Sequence, residues 1–227
     1  MTAFAISVAV LSAALLGAGW ILLRAHRLRR VAARMEAQPT VQIRTVVPPA
    51  TVEVAVDVGT TFLQPSPVSD VPVAWCRYAR QSKDRKGRWT VFDEGGVATG
   101  VHVWDATGDA WLDLEGAQVD VPEVVVADQG RARDVERRLV PGDRLYVLGP
   151  VSTQTILMPH PESGVKEPVQ TLYFKGTSEE PLLVRLGGAD DAHRIYLRAA
   201  RFGRIAALTA LGLSVAVSGY LAWVASL

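Results

Sequence analysis

The chain has 227 residues, with 24 basic and 23 acidic side chains and a formal net charge of +1 at pH 7. The length fits one domain with flanking segments, and the balanced charge excludes the strongly basic composition of a dedicated nucleic-acid-binding domain. Because Cys76 is the single cysteine, the sequence excludes an intramolecular disulfide and a zinc site made of several thiolates.

The chain begins with an apolar segment, Ala3–Leu23, that contains no charged residue. A helix needs about 20 apolar residues to cross a ~30 Å hydrocarbon core, and this segment is long enough. The arginines that follow it are Arg24, Arg27, Arg29, Arg30 and Arg34. Since a cleaved signal peptide has its cations before the apolar run, the pattern predicts an uncleaved transmembrane helix over 1–24. It also predicts a basic juxtamembrane helix or linker over 25–39.

The end of the chain mirrors its beginning. Ile205–Leu227 is uncharged, and the cations that precede it are Arg194, Arg198, Arg201 and Arg204. These features predict a C-terminal helix over 191–227 that includes a second transmembrane helix. Because cations mark the cytoplasmic side of a span, we expect a two-pass integral membrane protein of the bacterial cell membrane. Its middle domain would be cytoplasmic and both termini extracytoplasmic. The arginines after the first segment fit topology marking on a solvated helix, and contact with anionic lipids is the alternative.

Between these ends, over 40–190, helical periodicity disappears and short β-branched runs alternate with Gly, Pro and Asp. Val52–Val58 and Leu145–Gly149, for example, place apolar residues on one face of a strand. Arg131–Arg138 has a more helical composition, and we expect a short helix or a loop there. The predicted fold class is an all-β soluble domain, OB-like or a small barrel or sandwich, flanked by two transmembrane α-helices.

Three segments of the middle domain carry a family resemblance. Ser66–Tyr78 reads SPVSDVPVAWCRY, Asp105–Ala117 contains DATGDA followed by EGA, and Leu139–Gly149 reads LVPGDRLYVLG. In this order, between two apolar segments, they resemble the GIDE or MULAN-type ("beside a membrane") domain family. The resemblance implies structural or binding roles for the matching residues, which are Pro67, Pro72, Trp75, Arg77, Tyr78, Asp105, Gly108, Gly142, Asp143, Tyr146 and Gly149.

The resemblance also raises the question of enzymatic activity. Eukaryotic members of that family end in a RING finger, which makes them ubiquitin-protein ligases. A RING finger binds zinc through a full set of Cys and His ligands, whereas this chain has one cysteine. The family name alone implies a ubiquitin-protein transferase, but we expect no catalytic residue, no metal ligand and no cofactor.

Aromatic and basic residues of the middle domain suggest other kinds of binding. Its tryptophans, which are Trp75, Trp89, Trp104 and Trp111, fit either core packing or a stacking platform for bases or sugars, as OB-like barrels use. The basic run between Arg77 and Arg88 fits a solvated hairpin end or a patch for anionic headgroups. It fits a nucleic-acid groove less well, because the domain as a whole lacks positive charge.

The predicted function is a membrane-anchored, non-enzymatic binding or scaffold module that presents its β domain at the membrane surface. The expected partners are the lipid bilayer and an unidentified protein, with a homo-oligomer left open and nucleic acid disfavoured. Two alternatives remain open. One is the RING-type ubiquitin-protein transferase that the family name implies, and the other is an OB-like binder of nucleic acid or another ligand.

Overall fold

The computed structural model describes residues 2–98, 100–159 and 166–224. Helix α1 spans Thr2–Ala37 and helix α2 spans Ala189–Val224, each 36 residues long. The chain divides into a helical unit, 1–37 with 190–227, and a strand-rich unit, 38–189. Within the helical unit the two helices come close at Gly203, where an added Cβ atom would lie 2.9 Å from that of Ala25.

Each helix joins an apolar segment and an arginine-rich segment of the sequence in one continuous element. Helix α1 contains Arg24, Arg27, Arg29, Arg30 and Arg34, and helix α2 contains Arg194, Arg198, Arg201 and Arg204. The side chain of Arg204 lies outside the described residues. A membrane span needs about 20 predominantly apolar residues, and within the described residues neither helix is long and apolar enough to cross a membrane. The prediction of two transmembrane helices is therefore wrong, and the predicted two-pass topology and membrane localisation are wrong with it.

The strand-rich unit contains strands β1 to β14 and a 3-10 turn, Ile43–Thr45, between β1 and β2. The strands are β1 (Thr40–Val41), β2 (Ala50–Val58), β3 (Gln64–Pro65), β4 (Pro72–Val73), β5 (Trp75–Lys83), β6 (Trp89–Val97), β7 (Gly100–Asp105), β8 (Gly108–Asp113), β9 (Gln118–Asp120), β10 (Val124–Asp128), β11 (Ala132–Leu139), β12 (Arg144–Pro159), β13 (Lys166–Lys175) and β14 (Leu183–Leu186).

Five of these strands close into a barrel. Around the barrel the order is β2, β7, β8, β13 and β12, and β12 pairs back onto β2. Strands β8 and β13 run parallel, whereas the other neighbouring pairs are antiparallel. If the barrel strands are numbered along the chain, the order is 1-2-3-5-4-1, which is the arrangement of an OB-fold.

Apolar side chains at every second position of the barrel strands fill its interior. Val54, Val56 and Val58 of β2 are at most 1% exposed, and the same core contains Leu112 of β8 and Phe174 of β13. Burying one aliphatic or aromatic side chain of this kind is worth about 1.5–3 kcal/mol. The residues between these positions consequently face outward, where they form the outer surface of the barrel.

Two insertions between barrel strands build a second, antiparallel sheet. The hairpin β5–β6 lies in the chain between β2 and β7, the hairpin β10–β11 lies between β8 and β12, and the sheet order is β10-β11-β5-β6. The expectation of a short helix or a loop over Arg131–Arg138 is wrong, because Ala132–Leu139 is a strand paired with Trp75–Ser82. Its charged residues alternate between the two faces of this sheet.

Candidate ligand-binding site

The outer face of β7 and β8 carries a group of aromatic rings. His102 and Trp104 point outward from β7, and Trp111 points outward from β8, since the residues between them are buried in the barrel. His102 is directly opposite Trp111 in the antiparallel register, with ring centroids 6.1 Å apart. Trp104 is 46% exposed, which leaves much of its indole available to a ligand. We call this group, together with Phe62, the aromatic face.

Two glycines allow the rings of this face to lie against the backbone. A Cβ atom at Gly100 would be 2.4 Å from Nε1 of Trp111, and one at Gly59 would be 2.3 Å from Nδ1 of His102. Contacts this short do not occur with real side chains, so both rings occupy the space of a missing Cβ. The backbone amide of Gly59 also donates to the His102 carbonyl at 2.9 Å, which fixes the approach.

The loop after β2 adds Phe62 to the aromatic face. Its ring meets Trp111 edge to face, with centroids 5.6 Å apart and an angle of 81° between the ring planes. Phe62 is 44% exposed and has φ of 60°, a backbone conformation that non-glycine residues rarely adopt and that is enriched at ligand sites. In the same loop the Thr61 hydroxyl lies 3.3 Å from Nδ1 of His102.

A buried carboxylate lies next to these rings. The Asp113 carboxylate accepts hydrogen bonds from Nζ of Lys175 at 2.7 Å and from the Tyr173 hydroxyl at 3.1 Å. Burial by itself would raise the pKa of Asp113, but the hydrogen bonds from Lys175, the Glu115 amide and Tyr173 outweigh it and lower that pKa. The pKa of Tyr173 is raised by burial and by the Asp113 charge. This network fixes Tyr173 beside Trp111, its neighbour in the β8–β13 pairing.

The charges of this surface are mostly carboxylates. Asp109 lies 3.7 Å from Nε2 of His102, and its side chain is 56% exposed. Asp57 accepts a hydrogen bond from Arg144 at 2.9 Å. The surface combines aromatic rings with hydrogen-bond acceptors, and its cations Arg144 and Lys175 are each paired with a carboxylate.

Most of the family-motif residues lie in turns and in the core. Asp105 accepts from the amides of Thr107 at 2.7 Å, Gly108 at 3.1 Å and Ile43 at 2.9 Å, which joins the β7–β8 turn to the 3-10 turn. Burial would raise the pKa of Asp105, but these bonds and one from the Thr107 hydroxyl outweigh it and lower the pKa. Trp75 is 5% exposed and belongs to the core.

The remaining positions in the third motif shape β12 and the turn before it. Gly142 has φ of 86°, and the Asp143 carboxylate accepts from the Val140 amide at 2.8 Å. Tyr146 is buried and donates to the Glu53 carboxylate at 2.7 Å. Gly149 faces Leu182 so closely that a Cβ atom would lie 2.7 Å from its Cδ1. These are structural roles, and any binding role for these four residues stays a prediction.

The first motif surrounds a buried carboxylate. Glu136 is 1% exposed and accepts hydrogen bonds from Ser66 at 2.5 Å, from Ser69 at 2.9 Å and from Arg138. The loop that contains Pro67 is thereby fastened to the second sheet, and Pro72 of β4 pairs with Pro65 of β3. Arg77 and Tyr78 lie on opposite faces of that sheet, because they are consecutive in β5.

Cys76 belongs to the same cluster and does not have the properties of a nucleophile. Its Sγ lies 3.8 Å from the Ser66 hydroxyl and 3.9 Å from the Glu136 carboxylate. Burial and the nearby Glu136 charge raise the pKa of the thiol against the lowering effects of Ser66 and Arg138, whereas a reactive cysteine needs a lowered pKa and access. No group of three potential metal ligands occurs among the described residues.

Comparison of the chain with protein-family models, curated proteins and solved structures finds no match. The resemblance to GIDE-type domains consequently stays a prediction and supports no residue assignment. The sequence offers Trp75, Trp89, Trp104 and Trp111 as either core residues or a stacking platform. The structure places Trp104 and Trp111 on the aromatic face and Trp75 in the core, and sequence reasoning missed Phe62, Tyr173 and Lys175. Alternation in β13 could have placed Tyr173 on the outer surface, whereas no local pattern connects Phe62 with Trp111.

Proposed function

We propose that this chain is a non-enzymatic binding module and that the aromatic face of its barrel binds an oligosaccharide. The observation that supports this most strongly is the position of the half-exposed Trp104 and Phe62 beside Trp111 on the outer face of β7 and β8. These are the second and third strands of an OB-type barrel, and the corresponding surface of OB-folds binds oligonucleotides and oligosaccharides.

Charge favours a sugar over a nucleic acid at this face. A phosphate backbone requires cations, but Arg144 and Lys175 are each engaged by a carboxylate. A neutral sugar presents a C–H surface that an indole can cover and hydroxyl groups that carboxylates can accept from. The exposed carboxylate of Asp109, directly opposite Trp104 in the β7–β8 register, is such an acceptor.

Isothermal titration of the full chain with cellohexaose, maltohexaose and chitohexaose tests this function. We expect at least one of these probes to bind, and Trp104→Ala to weaken that binding about fivefold or more, as loss of an aromatic contact worth about 1 kcal/mol would do. Trp89→Ala is the matched control, because it removes a tryptophan of the second sheet, and it should leave the affinity unchanged.

Three outcomes would contradict the proposal. They are no heat of binding with any of the three sugars, equal affinities of Trp104→Ala and the unchanged chain, and loss of binding in the Trp89→Ala control. A short oligothymidylate serves as the opposing probe. If it bound more tightly than the sugars and lost affinity in Trp104→Ala, the aromatic face would be a nucleic-acid site instead.

A further inference from the structure

The second sheet has an exposed face with a cationic groove. Along β5 the residues Arg77, Ala79, Gln81 and Lys83 share this face, because side chains alternate along a strand. The register places Arg137, Val135 and Arg133 of β11 and Glu94, Val91 and Trp89 of β6 on the same side. A groove of about 530 Å³, a volume typical of ligand sites, runs over one part of this face. Its charged lining residues are Arg77 and Arg137 together with Glu94, Glu123 and Glu136. We call it the arginine groove.

Two arginines lie side by side at one end of this groove. Arg77 and Arg137 are directly opposite each other in the β5–β11 register, an arrangement of like charges that destabilises a sheet. Arg137 reaches Glu123 at 3.9 Å, with both side chains well exposed. Among the described residues, Arg77 has no ion-pair or hydrogen-bond partner. Arg77 consequently presents a guanidinium group that a bound anion would satisfy, whereas Arg137 already lies near the Glu123 carboxylate.

Two more cations, Lys83 and Arg133, lie farther along the same face, outside the residues that line the groove. Lys83 lies 4.7 Å and Arg133 4.4 Å from the ring centroid of Trp89. Nε of Arg133 also donates to Oε1 of Gln81 at 2.8 Å, which holds the guanidinium in place. Arg133 is four residues from Arg137 on β11, so the two pairs of cations are about 13 Å apart along the strand.

The floor between these pairs is small and apolar. Ala79 and Val135 face each other there. Val135 is only 2% exposed, so Val91, which is 45% exposed, provides the accessible apolar surface. The face thus alternates cationic and aliphatic surface over the length of a short peptide. Both outer strand pairs of the sheet contain a register shift, between Arg80 and Gln81 and between Val125 and Ala127. Such bulges hinder a strand of a partner protein from pairing with the edge of the sheet. A partner would therefore bind to the face of the sheet rather than to its edges.

From this arrangement we propose that the arginine groove binds an acidic peptide segment of a partner protein, one with apolar residues between its carboxylates. Arginine clusters recognise acidic and phosphorylated motifs through charge-assisted, bidentate hydrogen bonds. Single-stranded nucleic acid fits less well, because it binds by stacking bases on free aromatic rings. Among the described residues of this face the tryptophan is Trp89, and it already has two cations over its ring.

Fluorescence anisotropy with labelled peptides and the full chain tests the proposal. The probes are an octapeptide of alternating Glu and Leu, one of alternating Glu and Ser, one of alternating Lys and Leu, and a short oligothymidylate. We expect the Glu-Leu peptide to bind most tightly, the Glu-Ser peptide more weakly because it leaves the floor uncovered, and the Lys-Leu peptide not at all. Raised salt should weaken the Glu-Leu complex.

Substitutions then locate the site. Arg77→Gln and Arg137→Gln should each weaken binding of the Glu-Leu peptide about tenfold or more, the effect of removing a hydrogen bond to a charged group. Arg44→Gln is the matched control, since it removes an exposed arginine of the strand-rich unit that lies outside the groove. It should bind as the unchanged chain does. All three arginine side chains are surface groups, so the variants should keep the thermal midpoint of the unchanged chain.

Several results would overturn this assignment. If the Glu-Leu peptide failed to bind, or if Arg44→Gln weakened binding as much as Arg77→Gln, the groove would not be a peptide site. Tighter binding of the oligothymidylate, with loss in Arg77→Gln, would make it a nucleic-acid site. Equal affinities of the Glu-Leu and Lys-Leu peptides would show that the acidic side chains are not what the groove recognises. None of these results bears on sugar binding by the aromatic face.

Discussion

The barrel and the second sheet hold their exposed side chains in place by different means. On the barrel, aromatic rings lie against the backbone where Gly59 and Gly100 leave room for them. On the second sheet, the arginine groove lies on one side, and the other side is fastened by the buried carboxylate of Glu136 and its hydroxyl and guanidinium donors. One surface depends on close van der Waals contact and the other on a buried polar cluster.

This difference implies different sensitivities to substitution. Where a ring lies over a glycine, substitution of that glycine by alanine would add a methyl group that overlaps the ring. No buried charge would be left unpaired by such a substitution. A buried carboxylate, by contrast, stabilises a sheet only while all its donors are present, because a partly satisfied cluster in a low-dielectric interior is costly. We therefore expect the most damaging single substitution to lie beneath the arginine groove rather than on the barrel surface.

Glu136→Ala should give the largest loss of stability. It leaves Arg138, Ser66 and Ser69 without their common acceptor in a buried site. Breaking a buried ion pair by removing one partner costs about 3–5 kcal/mol. Urea unfolding followed by circular dichroism would measure this loss. Glu94→Ala, which removes a carboxylate from the exposed face of the same sheet, should change the free energy of unfolding by no more than about 0.5 kcal/mol. Equal effects of the two variants would contradict the structural role of Glu136.

Gly100→Ala should have a smaller effect on stability and a specific effect on the aromatic face. The new Cβ atom would overlap Nε1 of Trp111 at 2.4 Å, so the indole must move, and such overpacking costs about 1–3 kcal/mol. The near-UV circular dichroism of the tryptophans should change, and sugar binding should weaken. Gly188→Ala is the control, because nothing lies within 4 Å of a Cβ atom there. An unchanged near-UV spectrum in Gly100→Ala would refute the close contact.

The comparison also shows which parts of the molecule could be predicted from the sequence. Val52–Val58 alternates between apolar and polar residues, and β2 buries its valines as that pattern requires. Ala132–Leu139, in contrast, contains three arginines and two acids with no apolar stripe, so a charged helix or a loop was expected. It is a strand because its pairing with β5 satisfies the backbone. Its charged residues also find partners on both faces, Arg138 with Glu136 on one and Arg133 with Gln81 on the other.

The candidate sites were harder to predict than the strands. Trp75 of β5 in the second sheet and Trp104 of β7 in the barrel are the same residue type, yet one is 5% exposed and the other 46%. Alternation predicts which residues share a face of a strand, but burial of that face depends on which distant segments cover it. The opposition of Arg77 and Arg137 likewise arises from pairing between residues 60 positions apart, and local sequence contains no signal for it.

Acidification should weaken the barrel through Asp113. Burial alone would raise the pKa of Asp113, but the hydrogen bonds from Lys175, the Glu115 amide and Tyr173 lower it by more than burial raises it. The pKa in the folded chain therefore lies below the unfolded value of about 3.9. The unfolded chain then binds the proton more readily, and the stabilisation is present above the unfolded pKa and is lost as the pH falls through the folded one. Asp113→Asn should flatten the decline of unfolding free energy below about pH 4. A decline in Asp113→Asn as steep as that of the unchanged chain would contradict this assignment.

The smallest effect is expected at the exposed charges on the face of the second sheet that also carries Glu136. Arg80 lies 3.3 Å from Asp93 and 4.0 Å from Asp134, but its side chain is 42% exposed. Water and salt screen such pairs, and exposed pairs are worth about 0–1 kcal/mol. Arg80→Gln should therefore shift the urea midpoint only slightly, and the shift should shrink as salt is added. If Arg80→Gln lost nearly as much unfolding free energy as Glu136→Ala, and if that loss persisted in high salt, burial would not explain the difference between the Arg80 and Glu136 contacts. The contrast between the buried polar cluster and the exposed surface of this sheet would then fail.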